Sequence, residues 1–220
     1  MRPRARALLF DLDGTLIDSI ELIVRSYEHA VAAHGLPSPG RAEWLRGLGT
    51  PLKHQFAALL PDEAGRDAKV EELIRTYRAW NMAHHDELVR PYEGVRETLA
   101  ELARQGRPMG VVTSKMRTSA LRGLAHVGLE ERWFSCLVAL EDTERHKPHP
   151  EPVLRAVAKL GCATWDVVYV GDSPHDAQSA LSAGARAAPV RWGPFAEEHF
   201  AHLDAERLEW LDEPARILAL

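Results

Sequence analysis

Short apolar runs recur along the chain, and stretches with helical spacing separate them. The runs have the length of buried strands and lie at 7–10, 109–113, 136–140, 167–170 and 187–190. The helical stretches lie at 95–105, 118–127, 152–160 and 177–183. A glycine follows each of them, and glycine is the residue that commonly follows the end of a helix. Because strands and helices alternate, the pattern predicts an α/β fold with a doubly wound parallel sheet.

The stretch 17–88 breaks this alternation. It carries apolar residues at helical spacing, beginning with Ile20 and Ile23, and contains no strand-like run. We therefore predict a helical cap over 17–88, inserted after the first strand, and a catalytic core made of 1–16 and 89–220. Further cap helices are predicted at 41–47, 51–60 and 62–84.

The composition is that of a globular protein, because 45% of the 220 residues are hydrophobic and 27% are charged. This length allows one generous core, or one core that carries an insertion. A formal charge of -5 leaves no basic excess for a phosphate backbone, so nucleic acid is not an expected partner. Two cysteines, Cys136 and Cys162, cannot build a disulfide framework and indicate a reducing compartment.

The first apolar run is short, and aspartates follow Phe10 at once, which a signal peptide does not tolerate. Nowhere do 18 uncharged apolar residues follow one another, so no membrane contact is expected. These two observations predict a cytoplasmic protein.

Polar side chains stand directly after the predicted strands. They belong to the segments Asp11-Leu12-Asp13-Gly14-Thr15, Thr113-Ser114-Lys115 and Gly171-Asp172-Ser173-Pro174-His175-Asp176, and to Lys147 after the third strand. The carboxyl ends of parallel strands meet at one edge of a sheet, so these loops are expected to lie together. Four carboxylates there would repel one another unless a cation lay among them, and oxygen ligands suit Mg²⁺. A lysine and hydroxyl groups nearby suit a phosphate group.

Each of these aspartates taken alone is more simply explained as a turn residue or a helix cap. The combination is what favours a functional site. The segments DLDGTLIDS, VVTS, the KP of HKPHP, and GDSPHD resemble the four motifs of the haloacid dehalogenase-like (HAD) phosphohydrolases.

The resemblance covers essentially the whole chain. The helical cap after the first motif is similar to that of the subgroup that contains phosphoglycolate phosphatase, pyrophosphatase and β-phosphoglucomutase. The tail of the fourth motif, GDSPHDAQSALSAGARAAPVRWGP, looks most like the phosphoglycolate phosphatase branch.

This resemblance implies a role for each matching residue. Asp11 would be the nucleophile and would become an aspartyl phosphate, and Asp13 would be the general acid and base. Thr113 and the Ser114 amide would donate hydrogen bonds to the phosphoryl oxygens, and Lys147 would neutralise charge. The expected Mg²⁺ site consists of Asp11, Asp13 through its backbone carbonyl, Asp172 and, behind these ligands, Asp176. Gly14 would give the first loop room to turn beside the substrate.

The predicted function is Mg²⁺-dependent hydrolysis of a small phosphomonoester, similar to phosphoglycolate, through an aspartyl phosphate. An inorganic pyrophosphatase, a sugar-phosphate phosphatase and a phosphomutase of the same superfamily stay open as alternatives, as does a HAD-fold binding protein without turnover. The expected partner is a small phosphorylated metabolite, and the oligomeric state is open.

The cap turn 46–53 would face the catalytic loops. Its two cations, Arg46 and Lys53, are candidates for binding a substrate carboxylate or a second phosphate. The alternative is that both are solvated surface residues.

Overall fold

The computed structural model describes residues 3–220, so the first two residues of the predicted core segment 1–16 lie outside the described part. The strands are β1 (Ala7–Phe10), β2 (Ile17–Asp18), β3 (Arg90–Pro91), β4 (Met109–Val112), β5 (Cys136–Val138), β6 (Val167–Gly171) and β7 (Arg186–Pro189). The α-helices are α1 (Ile20–Ala33), α2 (Arg41–Arg46), α3 (Leu52–Ala58), α4 (Arg66–Leu88), α5 (Val95–Arg104), α6 (Arg117–His126), α7 (Glu151–Leu160) and α8 (Pro174–Ser182). Short 3-10 helices lie at Glu131–Trp133, Leu140–Asp142, Thr164–Asp166, Glu197–Phe200, Ala205–Arg207 and Pro214–Ala219.

Five strands form one parallel sheet in the order β5-β4-β1-β6-β7. The first strand is central, because Leu8 aligns with Met109 of β4 on one side and with Val168 of β6 on the other. Leu9 points toward α7 and α8, and Leu8 toward α5 and α6, so helices cover both faces. The predicted doubly wound parallel sheet is therefore confirmed.

Three strands end earlier than the apolar runs suggested: β7 by one residue, at Pro189, and β4 and β5 where the polar loops begin. β4 stops at Val112, because the Thr113 side chain accepts a hydrogen bond from the Lys115 amide and starts a turn. β5 stops at Val138, because Leu140 begins a 3-10 helix. Both endings lie at the edge of the sheet where the polar loops gather.

The segment between β2 and β3 consists of the four helices α1 to α4, which we call the cap. An aromatic cluster packs between these helices, with Tyr27 stacked on Trp44 at 4.5 Å between ring centroids and Phe56 and Tyr77 packed edge-on. The last cap helix starts at Arg66 rather than at residue 62, because a turn precedes it. Within residues 3–220, no helix is long and apolar enough to cross a membrane.

The two connections between the cap and the sheet lie side by side. β2 and β3 form an antiparallel ribbon in which Ile17 pairs with Pro91 and Asp18 with Arg90. The sequence pattern did not predict this ribbon, because a pair of two-residue strands is too short to show an alternation of apolar and polar positions.

Candidate active site

The first polar loop places a buried carboxylate at the centre of the sheet edge. Asp11 follows β1 directly, and its amide donates a hydrogen bond to Val170 on the neighbouring strand. Its side-chain Oδ1 accepts a hydrogen bond from Lys147 Nζ at 2.8 Å. Burial raises the pKa of Asp11 to about 7, against the lowering effect of the Lys147 charge.

The ammonium of Lys147 lies between two carboxylates. Lys147 is only 3% exposed, and its Nζ lies 2.8 Å from Asp11 Oδ1 and 2.6 Å from Asp176 Oδ1. It also donates to the Tyr169 hydroxyl at 3.2 Å. Burial disfavours the charged form of Lys147, but the attraction of the two carboxylates outweighs this effect of burial. The pKa of Lys147 therefore rises above its usual value. This lysine therefore stays cationic beside Asp11.

Three carboxylates gather around this ammonium. One oxygen each of Asp11, Asp172 and Asp176 lies within 4.8 Å of the other two. The pKa of Asp172 is well above its usual value, because the residue is buried and lies near Asp176 and Asp11. One ammonium does not balance three carboxylates, and keeping all of them ionised requires further positive charge. Buried, hard oxygen donors with an excess of negative charge fit a Mg²⁺ ion.

Asp176 differs from the other two carboxylates, because both of its oxygens already accept hydrogen bonds. Oδ1 accepts from Lys147 and from the Tyr169 hydroxyl, and Oδ2 accepts from the amide and hydroxyl of Ser173. The Asp176 amide in turn bonds the Ser173 hydroxyl, which caps α8. The arrangement suits a residue that orients Lys147 and the start of α8, and leaves little capacity for direct metal coordination.

The carboxylate of Asp13 points away from this group. Its Oδ1 accepts hydrogen bonds from the Ser19 hydroxyl and from Lys115 Nζ, the latter at 2.6 Å. Asp13 is part of the wall of a cavity that also exposes Asp11 and Lys147. It can therefore reach a group bound over Asp11 without being part of the buried carboxylate cluster.

Two glycines let the loops close on Asp172. Gly14 has φ of 87°, and a Cβ there would lie 2.5 to 2.9 Å from the Asp172 carboxylate. A Cβ on Gly193 would overlap the Cβ of Asp172 and lie 2.9 Å from the Gly14 carbonyl oxygen. The sequence predicted the first glycine from its motif but missed Gly193, whose only signal is a Trp-Gly-Pro turn after the last strand.

The cavity lies between the catalytic loops and the cap, with a volume of about 270 Å³. Thr113 and Ser114 line its core side, and the cap contributes Leu48, Gly49 and Thr50. The Ser114 hydroxyl donates a hydrogen bond to the Gly49 carbonyl at 2.6 Å, so the cap turn contacts the second catalytic loop. The space between the catalytic loops and the cap is thus large enough for a small phosphorylated molecule.

The structure does not bring Arg46 and Lys53 into this cavity, contrary to the expectation from sequence. Arg46 forms an ion pair with Glu43 of its own helix, and its side chain is 64% exposed. Lys53 lies 3.8 Å from Asp67 and is 56% exposed. For Lys53 the reason is helical geometry, because the cavity-lining residues of α3 are Leu52 and Gln55, which are three positions apart on one face.

Within residues 3–220, two other cations line the cavity instead. Lys115 follows Ser114 in the second loop, and Arg78 lies on α4. The position of Lys115 after Thr113 and Ser114 was evident from the sequence, but no role followed from it. Arg78 was not predicted, because one arginine on a long, highly charged helix carries no signal until the fold shows which face is covered.

Comparison with known proteins agrees with this geometry. The family model for haloacid dehalogenase-like hydrolases matches residues 8–190. The pyrophosphatase PpaX of Halalkalibacterium halodurans is 40% identical over 199 residues, covering 90% of this chain and 89% of the relative. PpaX of Anoxybacillus flavithermus is 37% identical over 214 residues, covering 97% and 96%.

Solved structures share the whole fold. A haloacid dehalogenase-like hydrolase from Bacteroides fragilis superposes with a TM-score of 0.84 at 27% identity, covering 94% of this chain and 97% of that one. A protein described as a predicted phosphoglycolate phosphatase, from Haemophilus somnus, has the same TM-score at 24% identity, covering 100% and 99%, and shows the likeness of fold alone. The matched family, the relatives and the shared fold lead to one conclusion: this chain belongs to the haloacid dehalogenase-like hydrolases, and within them to the phosphatases.

Proposed function

We propose that the protein hydrolyses inorganic pyrophosphate in a Mg²⁺-dependent reaction, through an aspartyl phosphate on Asp11. The observation that carries the chemistry is the buried Asp11 carboxylate held by Lys147 at 2.8 Å beside Asp172 and Asp176. The choice of substrate rests on the relatives named pyrophosphatase and on a small cavity with cations beyond Lys147. 2-Phosphoglycolate, the substrate class expected from sequence, is the second candidate, because its carboxylate also supplies a second anionic group.

The first half-reaction transfers a phosphoryl group to the protein. A carboxylate oxygen of Asp11 forms a bond to phosphorus while the bond from phosphorus to the leaving oxygen breaks. Asp13 delivers its proton to that leaving oxygen, and Lys147 offsets the charge on the nucleophile and the transferring group. Mg²⁺, held by Asp11, Asp172 and the Asp13 backbone carbonyl, would supply charge neutralisation at the phosphoryl oxygens.

The second half-reaction returns Asp11 to its free form. Asp13, now a carboxylate, takes a proton from a water molecule as the water oxygen bonds to phosphorus, and the bond between phosphorus and Asp11 breaks. The released products are two phosphate ions, so one water is consumed for each pyrophosphate. The same carboxyl group therefore acts once as an acid and once as a base.

A substrate panel tests this proposal. Phosphate release in the presence of Mg²⁺ is measured for pyrophosphate, 2-phosphoglycolate, sugar phosphates and nucleoside monophosphates. We expect the highest kcat/KM with pyrophosphate. A higher value with 2-phosphoglycolate would favour the second candidate, formation of an isomerised sugar phosphate would indicate a mutase, and no release from any substrate would indicate a binding protein.

Removal of the metal should abolish activity. Chelation with EDTA is expected to lower kcat by at least about a hundredfold, because the excess carboxylate charge near Asp11 would then repel the incoming phosphate. Mg²⁺ should restore the rate, and Ca²⁺ should restore it poorly, because its larger coordination shell holds carboxylates differently. Undiminished activity in metal-free buffer would contradict the proposed site.

Replacing Asp13 by alanine should slow the reaction in a way that depends on the leaving group. We expect a loss of about a hundred- to ten-thousandfold in the phosphorylation step for a poor alkyl leaving group, the usual value of general acid catalysis. The loss should be much smaller for p-nitrophenyl phosphate, whose leaving group needs no proton. Stopped-flow measurement of the nitrophenol burst checks this, and equal losses for both leaving groups would be inconsistent with the acid role.

A further inference from the structure

The wall of the cavity holds positive charge besides that of Lys147. Lys147 pairs with Asp11 and Asp176 where phosphoryl transfer is proposed to take place, whereas Lys115 and Arg78 line the same cavity from the second loop and from α4. Lys115 is 12% exposed and forms one ion pair, with Asp13. Its ammonium has further donor capacity toward the cavity.

Arg78 has no partner in the part of the chain that the structure describes. Its guanidinium forms neither an ion pair nor a hydrogen bond with any of residues 3–220. The other positions of its own helix face do not offer a carboxylate, because positions three and four residues away are Ile74, Arg75, Asn81 and Met82. An arginine left without a carboxylate partner at the edge of a cavity is available to bind an anion, and its planar fork suits phosphate or carboxylate oxygens.

The part of α4 that carries Arg78 is held in place by buried polar contacts. Asn81 Nδ2 donates a hydrogen bond to the Ser26 hydroxyl on α1 at 3.0 Å, and the Ser26 hydroxyl donates to the Leu22 carbonyl at 2.6 Å. Tyr77, next to Arg78, is buried in the aromatic cluster of the cap. The backbone of Arg78 is therefore fixed relative to the cavity, although its side chain reaches solvent.

We propose that Arg78 of the cap and Lys115 of the core form a subsite for the second anionic group of the substrate, the phosphate that leaves. This inference rests on the proposed function and names its specificity determinant. Pyrophosphate bound over Asp11 has its transferring phosphate at Lys147 and needs cations at its other end. A substrate with a single phosphate has no group for this subsite.

Kinetics of Arg78→Ala test the subsite. We expect kcat/KM for pyrophosphate to fall about tenfold or more, mainly through KM, because a charge-assisted hydrogen bond is lost. The kcat/KM for p-nitrophenyl phosphate should stay within about twofold of the wild-type value. Arg78→Lys should recover part of the loss, and Arg75→Ala, which removes the same charge one turn away and outside the cavity wall, should change neither value. Equal losses on both substrates, or an equal loss in Arg75→Ala, would overturn the subsite.

A binding measurement separates this inference from the proposed function. In the Asp11→Asn background, calorimetry is run with imidodiphosphate, a non-hydrolysable compound with two phosphates, and with orthophosphate. We expect Arg78→Ala to weaken imidodiphosphate binding about tenfold and to leave orthophosphate binding unchanged. That result supports the subsite even if pyrophosphate proves not to be turned over, and identical affinities with and without Arg78 would refute it even if pyrophosphate is a substrate.

Discussion

Asp11→Asn should lower kcat for pyrophosphate by at least about a thousandfold without loss of the fold. The amide is a poor nucleophile and a poor metal ligand, so both proposed roles of the residue end together. The thermal midpoint in EDTA should be equal to or higher than that of the wild type. The reason is that Asp11, whose pKa burial raises to about 7, is an unfavourable charge in this location, and Lys147 keeps Asp176 as its partner.

Two measurements check this expectation. Phosphate release gives the rate, and circular dichroism at 222 nm gives the thermal midpoint in EDTA. Asp166→Asn is a control that should leave the rate unchanged, because Asp166 directly precedes β6 and lies at the opposite end of that strand from the catalytic loops. Activity of Asp11→Asn within about tenfold of the wild type, in a folded protein, would exclude the aspartyl phosphate.

Lys147→Met should destabilise the metal-free protein by about 3–5 kcal/mol at neutral pH, the cost of leaving buried charges without their partner. Asp11, Asp172 and Asp176 would then lie together without the ammonium. The folded-state pKa values of Asp11 and Asp172 would rise further above the unfolded values, and the lowered pKa of Asp176 would rise as well, because the lowering effect of Lys147 on each is lost. A group with a raised folded pKa stabilises the folded state at low pH and loses that contribution as the pH rises through the folded pKa.

The destabilisation should therefore be small near pH 5 and large near pH 8. Urea unfolding in EDTA across this range measures it, and added Mg²⁺ should reverse part of the effect. Lys159→Met, which replaces an exposed lysine on α7, is the matched control and should show no pH-dependent difference from the wild type. A constant difference at pH 5 and pH 8 would mean that Lys147 contributes packing rather than charge.

The sequence predicted the sheet well because each strand leaves a local signal. Buried parallel strands are continuous apolar runs, and the order of the polar loops after them identified the family, which the comparisons confirm. The placement of Asp11, Asp172 and Lys147 at one edge followed from the sheet topology. Their chemical roles are predictions that the variants described above test.

The cap interior was harder to predict, because which face of a short helix is covered depends on contacts far away in sequence. Arg46 and Lys53 looked suitable because they flank the turn that meets the catalytic loops. The structure instead turns Leu52 and Gln55 toward the cavity and adds Arg78 from α4, a separate helix that begins only at Arg66. Gly193 is a similar case, because its contact with Asp172 joins two loops that are distant in the chain.

The ribbon of β2 and β3 makes it possible to exchange the cap as one unit. Since Ile17 pairs directly with Pro91, the two ends of the inserted segment lie next to each other. The entropic cost of closing the segment rises only slowly with its length, by about 0.6 kcal/mol for each doubling. A segment of different length or sequence can be grafted at these two positions without changing the strand order of the sheet. Enzymes with the same catalytic residues can thus diverge in the substrates they accept when one contiguous segment, the cap, is replaced. A chimaera that carries the cap of a relative is therefore a practical way to transfer substrate preference.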